Sequence, residues 1–155
     1  MSRKQRVDSI TAQVGIMQAA LSELSPPEHV PLTEKCLPFW RSIIAEKPKS
    51  EWTGHDLEIA ALLAMSLRKM GEQDALLDGE GPVIVTAGGN PAQNPRCRVV
   101  ADLHARVIKY RQTLGIHNRG KAGEQRDVVK RREQAMGVER DNPLGDDLLA
   151  RPSIQ

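Results

Sequence analysis

Hydrophobic residues recur at intervals of three and four through most of this 155-residue chain. This is the pattern of helices that bury one face, and it predicts helices within residues 1–24, 32–46, 54–77 and 95–114. Aromatic residues make up 3% of the chain. A large β-sandwich or barrel is not expected, because such folds depend on aromatic and β-branched strands. The sequence therefore predicts a mainly α-helical fold.

One short segment has the composition of a strand. Residues 83–86, Val-Ile-Val-Thr, are β-branched, and the Gly-Gly-Asn-Pro stretch at 88–91 is a turn signal. No second strand is expected after it. A lone strand leaves its hydrogen-bonding groups unpaired. The segment is therefore expected to pair with a short partner elsewhere, to pair with another subunit, or to form an extended loop.

Three helix ends carry capping signals. Thr53 with Asp56 resembles a capping box at the start of the third helix. Asn94 and Pro95 suit the N-cap and the first position of the fourth helix. Gly115 suits the stop after that helix. Within the third helix, residues 59–65 are apolar nearly all round, so part of their burial is expected from a neighbouring subunit.

The net charge of +2 hides an uneven distribution. Residues 96–132 contain eleven basic and three acidic residues, a net charge of +8. Residues 53–95 carry −4 and residues 133–155 carry −3. A positive segment this dense indicates a polyanionic partner, most often nucleic acid. The alternative is a solvated helical face that has no partner.

Known catalytic and metal-binding signatures are missing from the sequence. It contains no G-x-x-x-x-G-K-[ST] phosphate loop and no G-x-S-x-G nucleophile elbow. Its four histidines are widely separated, and Cys36 and Cys97 are a single distant pair, which suits neither a zinc cage nor a disulfide framework. We therefore predict a protein that is not an enzyme and has neither a cofactor nor a metal site.

No membrane partner is expected either. No apolar run approaches the roughly 18 to 20 residues that span a bilayer. The basic first ten residues are not followed by the apolar region of a signal peptide. A soluble, cytoplasmic protein is the expectation.

A nucleic-acid partner needs a surface that presents the charge. The helix at 32–46 and the helix that follows residue 53 have the spacing of a helix-turn-helix, whose second helix enters the major groove. The joint would offer Lys47, Lys49, Trp52, Thr53 and His55. Further phosphate contacts are predicted from three groups of basic residues. These are the arm residues Arg3, Lys4 and Arg6, the helix residues Arg96 and Arg98, and the later residues Lys121, Arg126, Lys130, Arg131 and Arg132.

The order of these features resembles phage terminase small subunits over residues 32–117. The resemblance rests on the helix LTEKCLPFWRSIIAE, the helix beginning TGHDLEIAALLA, the piece GEGPVIVTAGGNPAQNP and the Leu114-Gly115 stop. It implies a ring-forming, mainly α protein that recognises the packaging site on double-stranded viral DNA in the host cytoplasm. Such a subunit presents that DNA to a large subunit with ATPase and nuclease activities.

With this resemblance the chain divides into three parts. Residues 1–31 form a basic leader helix and a proline-rich linker, residues 32–117 a helical core for DNA binding and oligomerisation, and residues 118–155 a basic and then acidic flexible tail. Within the tail a helix is expected near 123–136, and residues 133–155 are the candidate contact for the large subunit. The family's helix-turn-helix would map onto the helix pair around 32–70.

Three other classes of protein stay open. A helix-turn-helix transcription regulator would bind DNA as a dimer, at two half-sites about one helical turn apart. A structural or assembly protein would carry the basic face incidentally and show no steep salt dependence of DNA binding. A small enzyme is the third alternative. The native mass separates a dimer from a ring.

Overall fold

The computed structural model describes residues 9–116 and 124–142, without the side chains of residues 124–127. The described part is mainly helical, as predicted. Its helices are α1 (Ile10–Ala20), α2 (Leu37–Ile44), α3 (Gly54–Glu80), α4 (Arg96–Thr113) and α5 (Glu124–Arg140). Two strands, β1 (Val83–Val85) and β2 (Pro91–Gln93), lie between α3 and α4. Short 3₁₀ turns at Glu34–Cys36 and Lys49–Glu51 precede α2 and α3.

The chain folds as two compact units. The first unit takes the described residues of segments 1–25, 44–53 and 118–155, which bring α1, the α2–α3 connection and α5 together. The second unit takes those of segments 26–43 and 54–117, with nearly all of α2, all of α3 and α4, and both strands. The division at residues 31 and 117 stays a prediction. The structure adds the α2–α3 connection to the unit that contains the two terminal helices.

Helix α3 contributes the largest buried cluster of the second unit. Of the apolar run 59–65, the structure buries Ile59, Ala60, Ala61, Leu63 and Ala64, while Leu62 stays exposed. Three alanines in this run leave room for a close approach of neighbouring backbone. Helix α4 packs against α3 and buries Leu103 and Val107. One chain therefore buries most of the run that we expected a neighbouring subunit to help cover.

The expectation that no second strand follows β1 was wrong. Strand β1 pairs antiparallel with β2, with Val83 opposite Gln93 and Val85 opposite Pro91. The turn between them is closed by hydrogen bonds of 2.9 Å from Thr86 N to Asn90 O and from Gly89 N to Thr86 O. Gly89 has φ +81, a value that glycine adopts without strain. The segment Pro-Ala-Gln lacks β-branched and aromatic residues, so its composition carries no strand signal.

The two ends of α4 confirm the capping predictions. Asn94 Oδ1 accepts a hydrogen bond of 2.9 Å from the backbone N–H of Arg96, and Pro95 lies between them in helical conformation. At the other end, Gly115 has φ +63. The N–H groups of Gly115 and Ile116 donate to the carbonyls of Gln112 and Arg111, each at 3.0 Å, which is a Schellman stop.

The first unit joins three distant parts of the chain. Helix α1 packs against α5 and against the 3₁₀ turn of the α2–α3 connection. Ile16 of α1 and Ala135 of α5 are buried, and Asn142 Nδ2 donates to Met17 O at 3.0 Å. The helix expected near 123–136 is confirmed as α5, with an end four residues later. It lies inside the segment that the sequence assigned to a flexible tail.

None of the helices in residues 9–116 and 124–142 is both long and apolar enough to cross a bilayer.

Candidate nucleic-acid interface

The two lysines of the α2–α3 connection make contacts inside the first unit. Lys47 is buried, and its Nζ lies 4.8 Å from the centroid of the Trp52 ring, a cation–π contact. Lys49 Nζ donates to Ala20 O at 2.7 Å and to Ser22 O at 2.9 Å, at the C-terminal end of α1. These contacts occupy both ammonium groups in the conformation that the structure shows.

Trp52 is buried as well, although the sequence had placed it among the residues offered to DNA. Its indole Nε1 donates to Ile44 O at 3.2 Å and to Lys47 O at 3.3 Å. A buried indole N–H needs such acceptors, because an unpaired polar group costs free energy. Trp52 therefore forms part of the core of the first unit.

Helix α5 contacts the same connection through the carboxylate of Glu139 and the guanidinium of Arg132. Lys49 N donates to Glu139 Oε1 at 2.6 Å. Burial raises the pKa of the Glu139 carboxyl, and hydrogen bonds from the backbone of Lys49 and Ser50 oppose that effect. Arg132 Nε lies 2.8 Å from Glu51 Oε2, and both side chains are mostly buried. Arg132 is thus engaged in an ion pair within the chain.

Arg96 holds the base of the β-hairpin. Its Nε donates to Glu80 Oε2 at 3.0 Å and its Nη2 to Glu80 Oε1 at 2.7 Å, and its Nη1 donates to Gln73 Oε1. Asn94 Nδ2 donates to Glu80 Oε2 at 2.9 Å. The hydrogen bonds from Arg96 and then from Asn94 lower the pKa of Glu80 from its usual 4.5 to about 2. This cluster joins the end of α3 to the start of α4.

The Glu80 cluster predicts a pH dependence of stability. Because the pKa of Glu80 is lower in the folded chain, its ionised form stabilises the fold fully above pH 4.5, and this contribution is lost as the pH falls towards about 2. Thermal unfolding of Glu80→Gln and of the wild type should therefore differ most above pH 4.5 and converge near pH 2. Asp78→Asn, an exposed position on the same helix, is the control. Equal melting temperatures of wild type and Glu80→Gln at pH 6 would contradict this role.

The remaining predicted residues with described side chains are more open. Thr53, Arg98 and Lys130 are exposed, and Arg131 is half-buried. His55 is exposed, with its Nδ1 3.5 Å from Glu58 Oε2, and the same carboxylate accepts His29 Nε2 at 3.0 Å. These positions leave their side chains accessible to a ligand.

Several predicted residues lie outside the described side chains. These are Arg3, Lys4, Arg6, Lys121 and Arg126, the last of which is on the backbone of α5. The others are divided between the two units. Lys47, Lys49, Thr53, Lys130, Arg131 and Arg132 belong to the first unit, and His55, Arg96 and Arg98 to the second. Their DNA contacts stay predictions.

The second unit also exposes basic side chains that were not among the predicted DNA contacts. Lys69 of α3 and Arg106, Lys109 and Arg111 of α4 are all exposed. Lys69 and Arg106 line a groove of about 530 Å³ between α3 and α4, which also contains Val99 and Leu103. Arg106, Lys109 and Arg111 could have been named from the sequence, since they belong to the basic segment 96–132.

Metal ligands do not cluster in the part of the chain that the structure describes. There, no group of three or more His, Cys, Asp or Glu side chains has an arrangement that could hold a metal ion.

Comparison with known families identifies the chain. A family model described as the Hendrixvirinae small terminase family matches residues 1–155, which is the whole chain. A search of curated proteins returned no match. Small terminase subunits are generally the DNA-recognition rather than the catalytic component of a packaging motor. The family supports a role in phage DNA packaging. Because the match covers the whole chain, the chain belongs to the Hendrixvirinae small terminase family.

Proposed function

We propose that this chain recognises the packaging site on double-stranded viral DNA and presents that DNA to the large terminase subunit in the host cytoplasm. The observation that carries the proposal is the family match over residues 1–155. The charge distribution supports it, because residues 96–132 have a net charge of +8. A basic segment of this density suits the phosphate backbone of nucleic acid. In this division of labour the large subunit supplies the ATPase and nuclease activities, and this chain is not an enzyme.

The proposed active form is a homo-oligomeric ring. Repeating a basic segment around a ring adds weak phosphate contacts together, so that avidity replaces strong binding by one subunit. Apolar side chains that one chain leaves exposed support contacts between subunits. They include Leu76 of α3, Val83 and Val85 of β1, and Ile108 of α4.

The proposed DNA contacts include the residues named from the sequence. These residues differ in whether their side chains already contact other groups of the same chain. Lys47, Lys49, Arg96 and Arg132 would have to exchange intrachain partners for phosphate. Arg98 and Lys130 are exposed, and within the described residues their side chains have no hydrogen bond or ion pair to give up. Residues 133–155 remain our proposed contact for the large subunit.

Native mass and DNA affinity test the proposal together. We expect a closed oligomer with more than two subunits, whose mass shifts on addition of a packaging-site duplex. A dimer that binds DNA would favour the transcription regulator with a helix-turn-helix. A monomer that ignores DNA would contradict both and leave an assembly protein with an incidental basic face.

The salt dependence of the DNA affinity separates binding through phosphate contacts from binding through other interactions. The logarithm of the association constant should fall linearly with the logarithm of the salt concentration, with a slope of about −0.9 for each phosphate contact. A duplex of the same length and scrambled sequence is the control. Equal affinity for both duplexes would remove recognition of the packaging site from the proposal and keep only DNA binding.

A further inference from the structure

Four basic side chains of the second unit form an exposed patch. They are Lys69 of α3 and Arg98, Arg106 and Lys109 of α4, and we call them the α3–α4 basic patch. With 3.6 residues per turn, Lys109 lies about 20° and Arg106 about 80° from Arg98 around the axis of α4. Leu103 and Val107, which α4 buries, lie about 140° and 180° from Arg98. Arg98 and Lys109 therefore lie on the side away from the buried stripe, and Arg106 lies between that side and the stripe.

The groove between α3 and α4 connects Lys69 to this row. Lys69 and Arg106 both line it, together with Asp102 and the ion pair of Arg68 and Glu72. Counting Arg68 with the patch gives five cations against the carboxylates of Glu72 and Asp102, a net charge of +3. The patch therefore stays positive after the neighbouring acidic groups are included.

The patch differs in its contacts from Lys49, Arg96 and Arg132. Within residues 9–116 and 124–142, the structure shows no hydrogen bond or ion pair from the side chains of its four members. Lys49, Arg96 and Arg132 each hold oxygen acceptors of their own chain. A cation that already has an acceptor must give it up before it binds a phosphate, whereas an exposed cation exchanges only water. The patch is thus better prepared to bind an anion than the α2–α3 connection.

We propose that the α3–α4 basic patch contacts DNA phosphates, an inference that rests on the proposed function as a DNA-binding protein. Arg98 and Lys109 are 11 residues apart, which is about 16 Å along the helix. The major groove is about 12 Å wide, so the two ends of the row can reach phosphates on its opposite sides. Such contacts add affinity without reading the sequence.

The test replaces all four patch residues with glutamine in the full-length chain (K69Q/R98Q/R106Q/K109Q). Arg111→Gln is the matched control, because Arg111 is exposed on the same helix and lies about 140° from Arg98. From the salt dependence, each phosphate contact contributes about eightfold to the affinity at 0.1 M salt, so the loss of two contacts should weaken binding about 60-fold. The slope against the logarithm of salt should also become shallower by about 0.9 for each contact.

Native mass and melting temperature are measured for every variant. We expect both to match the wild type, and we expect the packaging-site and scrambled duplexes to lose affinity equally. If the fourfold variant does not fold, the four single variants replace it, and at least two of them should each lose about eightfold.

The outcomes separate this inference from the proposed function. If the wild type binds DNA and the patch variants bind as tightly, the inference is overturned and the proposed function stands. If the wild type binds no duplex at low salt, both fail. If the patch variants change the native mass while Arg111→Gln does not, the patch is a contact between subunits, and the inference is overturned.

Discussion

Replacing Trp52 with alanine is expected to lower the free energy of unfolding by about 3 to 5 kcal/mol, the range for removing a large buried aromatic side chain. Trp52 is only 9% exposed, and its indole N–H donates to two carbonyls. Its ring also covers the ammonium group of Lys47. The substitution therefore leaves a cavity, two carbonyls without their donor and a lysine without its aromatic partner.

Urea unfolding followed by far-UV circular dichroism measures the effect, and hydrogen exchange locates it. Faster exchange is expected in α1 and α5, because Trp52 belongs to the unit that contains these helices. Phe39→Ala is the control, since Phe39 is an aromatic residue that is 37% exposed, and it should cost about 1 kcal/mol or less. Trp52→Phe keeps much of the packing, so its loss in free energy of unfolding should lie between those of Trp52→Ala and Phe39→Ala. A loss for Trp52→Ala as small as that for Phe39→Ala would sink the assignment of Trp52 to the core.

Leu63→Ala is the second substitution with a large expected effect, about 2 to 5 kcal/mol. Leu63 is one of the largest side chains that the chain buries completely, and it lies in the middle of the buried run of α3. Its neighbours Ala60, Ala61 and Ala64 are small and equally buried, so they cannot expand to fill the space that the leucine leaves. The cavity should therefore persist, and the cost should lie towards the upper end of the range.

Leu76→Ala is the matched control because it makes the same chemical change on the same helix, where the side chain is 48% exposed. We expect it to change the free energy of unfolding by less than about 1 kcal/mol. Urea midpoints at constant m-value give both figures. If the two leucines cost the same, burial within one chain does not stabilise α3, and contacts between subunits would have to be considered.

The prediction for Lys47 and Lys49 shows that a charge pattern locates basic residues along the chain but does not identify the groups that they contact. The sequence placed Lys47 and Lys49 in a short connection between two helices, and that location is correct. It could not show that Lys49 Nζ would contact Ala20 O, 29 positions away, or that its backbone N–H would contact Glu139, 90 positions away. The DNA-reading role of this connection stays a prediction, but its structural role in the first unit is visible.

Local interactions explain what the sequence by itself determined. The start of α4 at Asn94 and Pro95 and its stop at Gly115 depend on hydrogen bonds within five positions, so the residue types alone specify them. The mainly helical fold follows in the same way from the spacing of apolar residues. The family was identifiable because its features are spread along the chain in a fixed order, and the match over residues 1–155 confirms it.

Only the tertiary structure decided which basic residues have partners and which are exposed. Arg96 pairs with Glu80 and Arg132 with Glu51, across 16 and 81 positions, while Arg98 and Lys109 of the same basic segment face solvent. The same holds for β2, whose Pro-Ala-Gln sequence has no strand character and pairs because the turn brings it beside β1. The physical reason is that secondary-structure propensity depends on interactions between residues that are close in the sequence. The partner of a charge or of a strand edge depends instead on which distant segments the packed core brings together.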